Sequence, residues 1–204
     1  MLRIGITGGI GSGKTTVARI FNVLGIPVYS SDDASKSLMN NDVELKNNII
    51  KAFGKEAYSN GELNRKYLAT VAFSHPDKIQ LLNSLVHPAT IKDAIAWMEK
   101  QHAPYVIKEA ALIFESGSDK YLDLVIGVKS PLALRIERAM KRNNTTAEEV
   151  EARIRLQMNE EEKLKLCDYI IVNDEQQMLI PQVLLLNEKF LKEAEKKSQA
   201  ALLK

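Results

Sequence analysis

Residues 5–21 read GITGGIGSGKTTVARIF, and this stretch decides the fold. A short β-rich run, LRIGIT at 2–7, leads into glycines. Gly8, Gly13, Lys14 and Thr15 then stand at the spacing G-x-x-x-x-G-K-[ST]. Glycines let successive backbone N–H groups curl around a phosphate with no side chain in the way. The helix that follows points its positive end at the same place. In that arrangement Lys14 reaches β- and γ-phosphates, and the Thr15 hydroxyl coordinates Mg²⁺. Gly11, Ser12, Gly13 and Thr16 belong to the same nucleotide-binding stretch. A glycine-rich turn that only caps a helix is the plainer alternative. The four-position match arises by chance in about one chain in a hundred of this length.

Working outward, Val17, Ile20, Phe21 and Leu24 follow the i, i+3, i+4, i+7 spacing of one helix face. Gly25 stops that helix. IPVY at 26–29 reads as a second strand, which completes a βαβ unit and implies a parallel sheet with a right-handed crossover. Residues 34–103 carry no buried strand pattern and read as helical, with turn signals at YSNGELN and SHPDK. YVIKEAALIF (105–114) and YLDLVIGV (121–128) suit central parallel strands. Ser130 and Pro131 fit the cap and first position of a helix running to about Arg142. Thr145 with Glu148 fits a capping box. YIIVN (169–173) is a last strand, and a polar-faced helix follows from about Gln176. The expected fold is α/β: a three-layer P-loop nucleoside-triphosphate hydrolase fold with a parallel five-stranded sheet. Residues 1–204 form one domain, with a helical acceptor-binding insertion at 34–103 and a helical lid at 143–166.

Composition narrows the function. The 204 residues are 45% hydrophobic and 26% charged, which suits a globular chain. A net charge of +2 implies no strong basic field, so nucleic acid is not the expected partner. No apolar run reaches the ~18 residues of a membrane span. Cys167 is the only cysteine, which rules out an internal disulfide and fits a reducing cytoplasm. The D-x-x-G and N-K-x-D segments of GTPases are missing. Motor ATPases place a Mg²⁺-binding carboxylate at the end of an apolar strand, and Glu115 and Asp174 are the nearest candidates. Neither is convincing. The insertion and the arginine-rich segment Arg135–Arg155 point instead to a nucleotide-type kinase, whose lid keeps water from the phosphoryl group.

Beyond the phosphate loop, the chain resembles the dephospho-CoA kinase family over roughly residues 1–175. LGIPVYSSD resembles that family's L-G-x-x-V-x-D-A-D segment. FGKEAYSNGELNRKYLATVAF resembles its F-G…G-x-L-(D/N)-R-x-x-L…F stretch. LLNSLVHPAT, AALIFESG and RIRLQMNEEEKLKLCDYIIVN are similar to its L-N-x-L-x-H-P, P-L-L-(F/V)-E and R-I-x-x-Q…E-x-K…A-D-x-V-I-x-N runs. Departures are Ser30 for the first aspartate of D-A-D, Ala111 for proline, Cys167 for alanine and Glu175 for glycine. The helix after Pro131 is also one residue longer before Arg138.

The resemblance implies phosphorylation of the ribose 3′-hydroxyl of dephospho-CoA by ATP with Mg²⁺, in a cytoplasmic monomer or weak homo-oligomer. Another nucleoside or nucleotide kinase is the alternative, with a P-loop ATPase switch behind it. The resemblance aligns Asp32 with the family's second aspartate, which makes it the group that accepts or orients the 3′-hydroxyl proton. The plainer reading makes Asp32 a helix cap, a role that Asp33 or Ser31 can equally fill. Arg135, Arg138 and Arg142 can share one helix face. Arg138 or Arg142 then neutralises the transferring phosphoryl group, or all three form a solvated basic stripe. Arg153 or Gln157 in the lid contacts ATP phosphates, and Asn173 reads an adenine edge or caps a turn. In the insertion, Arg65 suits the acceptor's pyrophosphate. The H-P match gives His87 a role in acceptor binding, against the plainer reading of a packed, hydrogen-bonded histidine, and Glu115 contacts the acceptor or the metal shell.

Overall fold

The computed structural model describes residues 1–73 and 75–202. They fall into two compact units, Met1–Tyr29 with Met98–Lys204, and Ser30–Trp97. The first is built on the parallel five-stranded sheet. Its strands are β1 (Leu2–Thr7), β2 (Val28–Ser30), β5 (Tyr105–Glu109), β6 (Leu124–Lys129) and β7 (Tyr169–Val172), in the order β2-β5-β1-β6-β7. Leu2 lies opposite Tyr105 and Ile6 opposite Glu109, while Ile4 faces Leu124 on the other side.

Alternation along β1 sorts its side chains. Leu2, Ile4 and Ile6 enter the main core, which α1 (Lys14–Val23) and α9 (Leu179–Leu202) cover. Phe21, Tyr105, Tyr169 and Phe190 form an aromatic cluster there, with edge-to-face contacts at 5.4–6.4 Å. The buried Tyr105 hydroxyl donates to Asn187 at 2.6 Å, so its polar end is satisfied, and burial raises its pKa. Gly5 points the other way. A Cβ there would meet Ile113 and Leu122 within 2.8 Å, so the turn after β5 packs directly on the backbone. Cys167 fills the same thin layer beside Ala110, Ile113 and Val125, and burial pushes its thiol up to about 11.

The second unit holds α2 (Ser31–Asn41), α3 (Val43–Phe53), α4 (Arg65–Phe73) and most of α5 (Pro76–Glu99). Leu45, Ile49, Phe53, Ala57, Leu68 and Val86 are its core. It also contains a small hairpin, β3 (Tyr58–Ser59) and β4 (Glu62–Leu63). The turn signal expected there is therefore a two-residue turn, Asn60–Gly61, with both residues at positive φ.

Three local expectations shift. β5 stops at Glu109 rather than running to Phe114, because the chain turns at Ala110 to cover the sheet. The helix α6 (Leu132–Asn143) is capped at Pro131, not Ser130, since Pro131 is extended. The helix α7 (Ala147–Ile154) is capped by Thr146, whose hydroxyl accepts from Glu149 N–H, while Thr145 bonds the Glu149 carboxylate. The capping box is thus displaced by one residue. A further helix, α8 (Glu160–Lys165), follows before β7. No helix among the described residues is long and apolar enough to cross a membrane.

Candidate active site

The turn from β1 into α1 supplies the frame. Gly11 and Gly13 have φ of 78° and 95°, where side chains are strained. Space forbids them as well. A Cβ on Gly11 would stand 2.1 Å from the Arg135 carbonyl, and one on Gly13 2.1 Å from the Asn173 amide. Gly13 caps α1 with no side-chain hydrogen bond and no acid in the first turn, so the helix end presents its own N–H groups. Lys14 is buried and donates to the Gly8 and Gly9 carbonyls at 3.0 and 3.2 Å.

Beside the loop lies a hollow of about 280 Å³. Gly11, Gly13, Lys14, Thr15, Thr16, Arg19, Arg138 and Arg142 line it. Three guanidinium groups and an ammonium around one small space suit a polyanion. Arg138 is held there by Ser130, by both the carbonyl and the side chain of Asn173, and by Glu175 at 3.1 Å. Asn173 in turn donates to the Ser12 carbonyl at 2.8 Å. Arg142 is exposed, and its Nε donates to the neighbouring Asn143 side chain at 3.2 Å. Arg19, absent from the sequence reading, enters because it lies one turn along α1 from Thr15, over the same space.

Glu109 is the carboxylate that sequence reasoning missed. It ends β5, is 5% exposed, and accepts from the Thr15 hydroxyl at 3.4 Å. Glu115 and Asp174 were the candidates for a strand-end carboxylate, and both are engaged elsewhere. Asp174 accepts from Gln176 and Gln177 N–H groups, which hold its carboxyl below the usual range. Glu115 pairs with the buried Lys163 at 2.8 Å and accepts the Met158 N–H. A signal for Glu109 was available, since YVIKE is an apolar run ending in an acid. Reading the strand on to Phe114 hides that signal, because it places Glu109 in mid-strand rather than at the strand's end.

A second hollow, of about 480 Å³, opens between Gly9 and Leu132 on one side and residues 154–163 on the other. Arg155 and Gln157 line it; Arg153 does not. Arg135, which helix spacing groups with Arg138 and Arg142, is buried against the loop, so the three do not form a solvated stripe. In the other unit, Asp32 lies in the first turn of α2. Ser30 caps that helix, starting it at Ser31 rather than near Ala34. The Asp32 carboxylate is exposed and takes no hydrogen bond among the described residues, whereas Asp33 bonds Ser30 and Lys36 at 3.0 Å each. Those two partners hold the Asp33 carboxyl below its usual range. The strand leading to Asp32, β2, neighbours β5, which lies between it and β1. Arg65 borders a polar hollow with Asn40 and Asn41, and His87 is half-buried midway along α5.

A phosphate loop at the carboxyl edge of a parallel sheet, with clustered arginines and a covering helical segment, defines a P-loop kinase. A shikimate kinase of Bacteroides thetaiotaomicron shares the fold at a TM-score of 0.56 and 12% identity. The family model for dephospho-CoA kinase matches residues 2–178, and the chain belongs to that family. Named dephospho-CoA kinases of Bacteroides fragilis and Porphyromonas gingivalis are each 38% identical, over 90% and 92% of this chain and 90% and 94% of theirs. A solved dephospho-CoA kinase from Campylobacter jejuni is 28% identical with a TM-score of 0.61, covering 97% of this chain and 95% of its own.

Proposed function

We propose that this chain transfers the γ-phosphoryl group of ATP to the ribose 3′-hydroxyl of dephospho-CoA, giving CoA and ADP. The observation that carries the reading is the uncapped phosphate loop with Lys14, Thr15 and Glu109 converging on it, in a chain of this family. Lys14 and the loop N–H groups take the β- and γ-phosphates, and Arg142, with Arg138 behind it, offsets charge on the moving phosphoryl group. Thr15 and Glu109 suit Mg²⁺, which binds through few protein oxygens and completes its shell with phosphates and water. Bound there, it would neutralise charge on the phosphate oxygens.

Asp32 is the proposed acceptor of the hydroxyl proton. Its exposed, unpartnered carboxylate supports that role, whereas Asp33 is occupied by the cap. Transfer of this kind passes through a loose transition state, so Asp32 serves chiefly to aim the hydroxyl. Arg65 and His87 are proposed for the acceptor, and Gln157 with Arg155 or Arg153 for the phosphates under the lid. The contacts of Glu115 favour a share in holding the lid. Small-molecule substrates and one unpaired cysteine fit a cytoplasmic enzyme.

The test is direct. The protein is mixed with ATP, Mg²⁺ and a panel of acceptors, and ADP release is followed. Strong release with dephospho-CoA alone, and a 3′-phosphorylated product by mass, is the expected result. Release with AMP or CMP instead, or with no acceptor, would overturn the reading.

A further inference from the structure

Arg135 has no role in the account so far, yet it is among the most buried charges in the molecule at 2% exposure. It sits in the first turn of α6 and touches three consecutive loop residues. Its Nε donates to the Ile10 carbonyl at 3.0 Å. Its guanidinium lies flush on Gly9, where a Cβ would come within 2.1 Å of it, and its own carbonyl lies flush on Gly11. The other end of the guanidinium pairs with Glu160, the first residue of α8. One side chain therefore joins the phosphate loop to the segment that covers it.

Stability alone is a poor reason for this arrangement. A buried ion pair repays its desolvation only when its remaining oxygens are satisfied. The second Glu160 oxygen is buried and has no hydrogen-bond partner among the described residues. Geometry offers a better reason. In a trans peptide the C=O and the following N–H point in opposite directions. Holding the Ile10 carbonyl toward the Arg135 guanidinium turns the Gly11 N–H away from that guanidinium, and Gly11 lines the hollow proposed for the phosphates. The same α8 is fixed a second time, three residues on, by Lys163, which donates to the Ala111 carbonyl at 2.9 Å and pairs with Glu115.

We propose that Arg135 is a positioning residue: through Ile10 it aims the Gly11 N–H at the nucleotide phosphates, and through Glu160 it links that aim to the seating of α8. The reaction it serves is the one proposed above, so the strut is also read by nucleotide binding alone. In R135L/E160L both charges go and no buried charge is left unpaired, so the fold and melting temperature hold. The dissociation constant for a fluorescent ATP analogue rises about tenfold, as expected for one charge-assisted hydrogen bond. The value of kcat with dephospho-CoA falls further, about 10²-fold, because charge grows in the transition state. R135K keeps a cation for Glu160 but loses the Nε donor, and shows the same two losses. If either variant, folded, keeps ATP affinity and kcat within threefold of the wild type, the proposal is overturned. If the wild type binds ATP and phosphorylates no dephospho-CoA, the functional reading fails while the binding arm still decides on Arg135.

Discussion

Among the turns that carry a parallel strand into a helix, the one after β1 and the one after β2 are finished in opposite ways. The first ends on Gly13 in the left-handed region, with no side chain over the helix end and no acid in the first turn. The second ends on Ser30, whose hydroxyl accepts from the Asp33 N–H and donates to the Asp33 carboxylate, with Asp32 and Asp33 both in the first turn. Both helices have the same dipole. The difference shows that a helix N-terminus becomes an anion site only when the sequence refrains from capping it. The α1 end is left for a phosphate, while the α2 end is neutralised locally and displays one spare carboxylate, Asp32.

Five substitutions test that contrast. The largest effect is expected at the spare carboxylate. Asp32→Asn keeps ATP binding and loses about 10²–10⁴-fold in kcat; a loss under about tenfold in a steady-state assay removes the proton-accepting role. Next comes the open turn itself. Lys14→Met leaves the fold intact and lowers kcat/KM for ATP about 10²–10³-fold, since one preorganised donor to the phosphates is gone. A smaller change follows at Glu109→Gln, about 10–100-fold in activity, accompanied by a higher Mg²⁺ concentration for half-maximal rate. An unchanged Mg²⁺ titration would show that Glu109 serves only to orient Thr15.

The smallest effect belongs to the closed turn. Ser30→Ala costs about 1 kcal/mol of stability by denaturant titration and leaves kcat within about threefold. Its pH dependence follows from Asp33. The Lys36 and Ser30 hydrogen bonds lower the folded carboxyl's pKa, so its contribution is full above the unfolded value near ~3.9 and fades as pH falls through the lower folded value. Asp33→Asn therefore narrows its stability gap to the wild type below about pH 4 and not at pH 7. A gap that persists unchanged at pH 2 would mean the carboxylate charge contributes nothing.

Much of this was legible because it is local. The loop spacing, the strand-to-helix periods of 2–7 and 14–23, and the family's ordered segments all lie along the chain. The family resemblance sets Asp32 apart from Asp33, but the cap of α2 is Ser30 rather than Asp32, Asp33 or Ser31. The misplaced features share one cause. The end of β5, the cap of α6 and the capping box of α7 each depend on where the chain turns to meet a neighbour, and propensity fixes element ends only to within a few residues.

The sequence by itself determined that a phosphate loop opens this chain, that a parallel sheet carries it and that a helical insertion interrupts it. Tertiary structure alone decided which charges serve that loop. Glu109 meets Thr15 across 94 residues because β5, not β2, pairs with β1. Arg135, which by spacing belongs with Arg138 and Arg142, is instead withdrawn beneath Gly9 to meet Glu160, 25 residues on. Helix spacing says which residues share a face. Only packing says whether that face meets water or the backbone of a glycine loop, and for a guanidinium that difference separates a solvated charge from a strut.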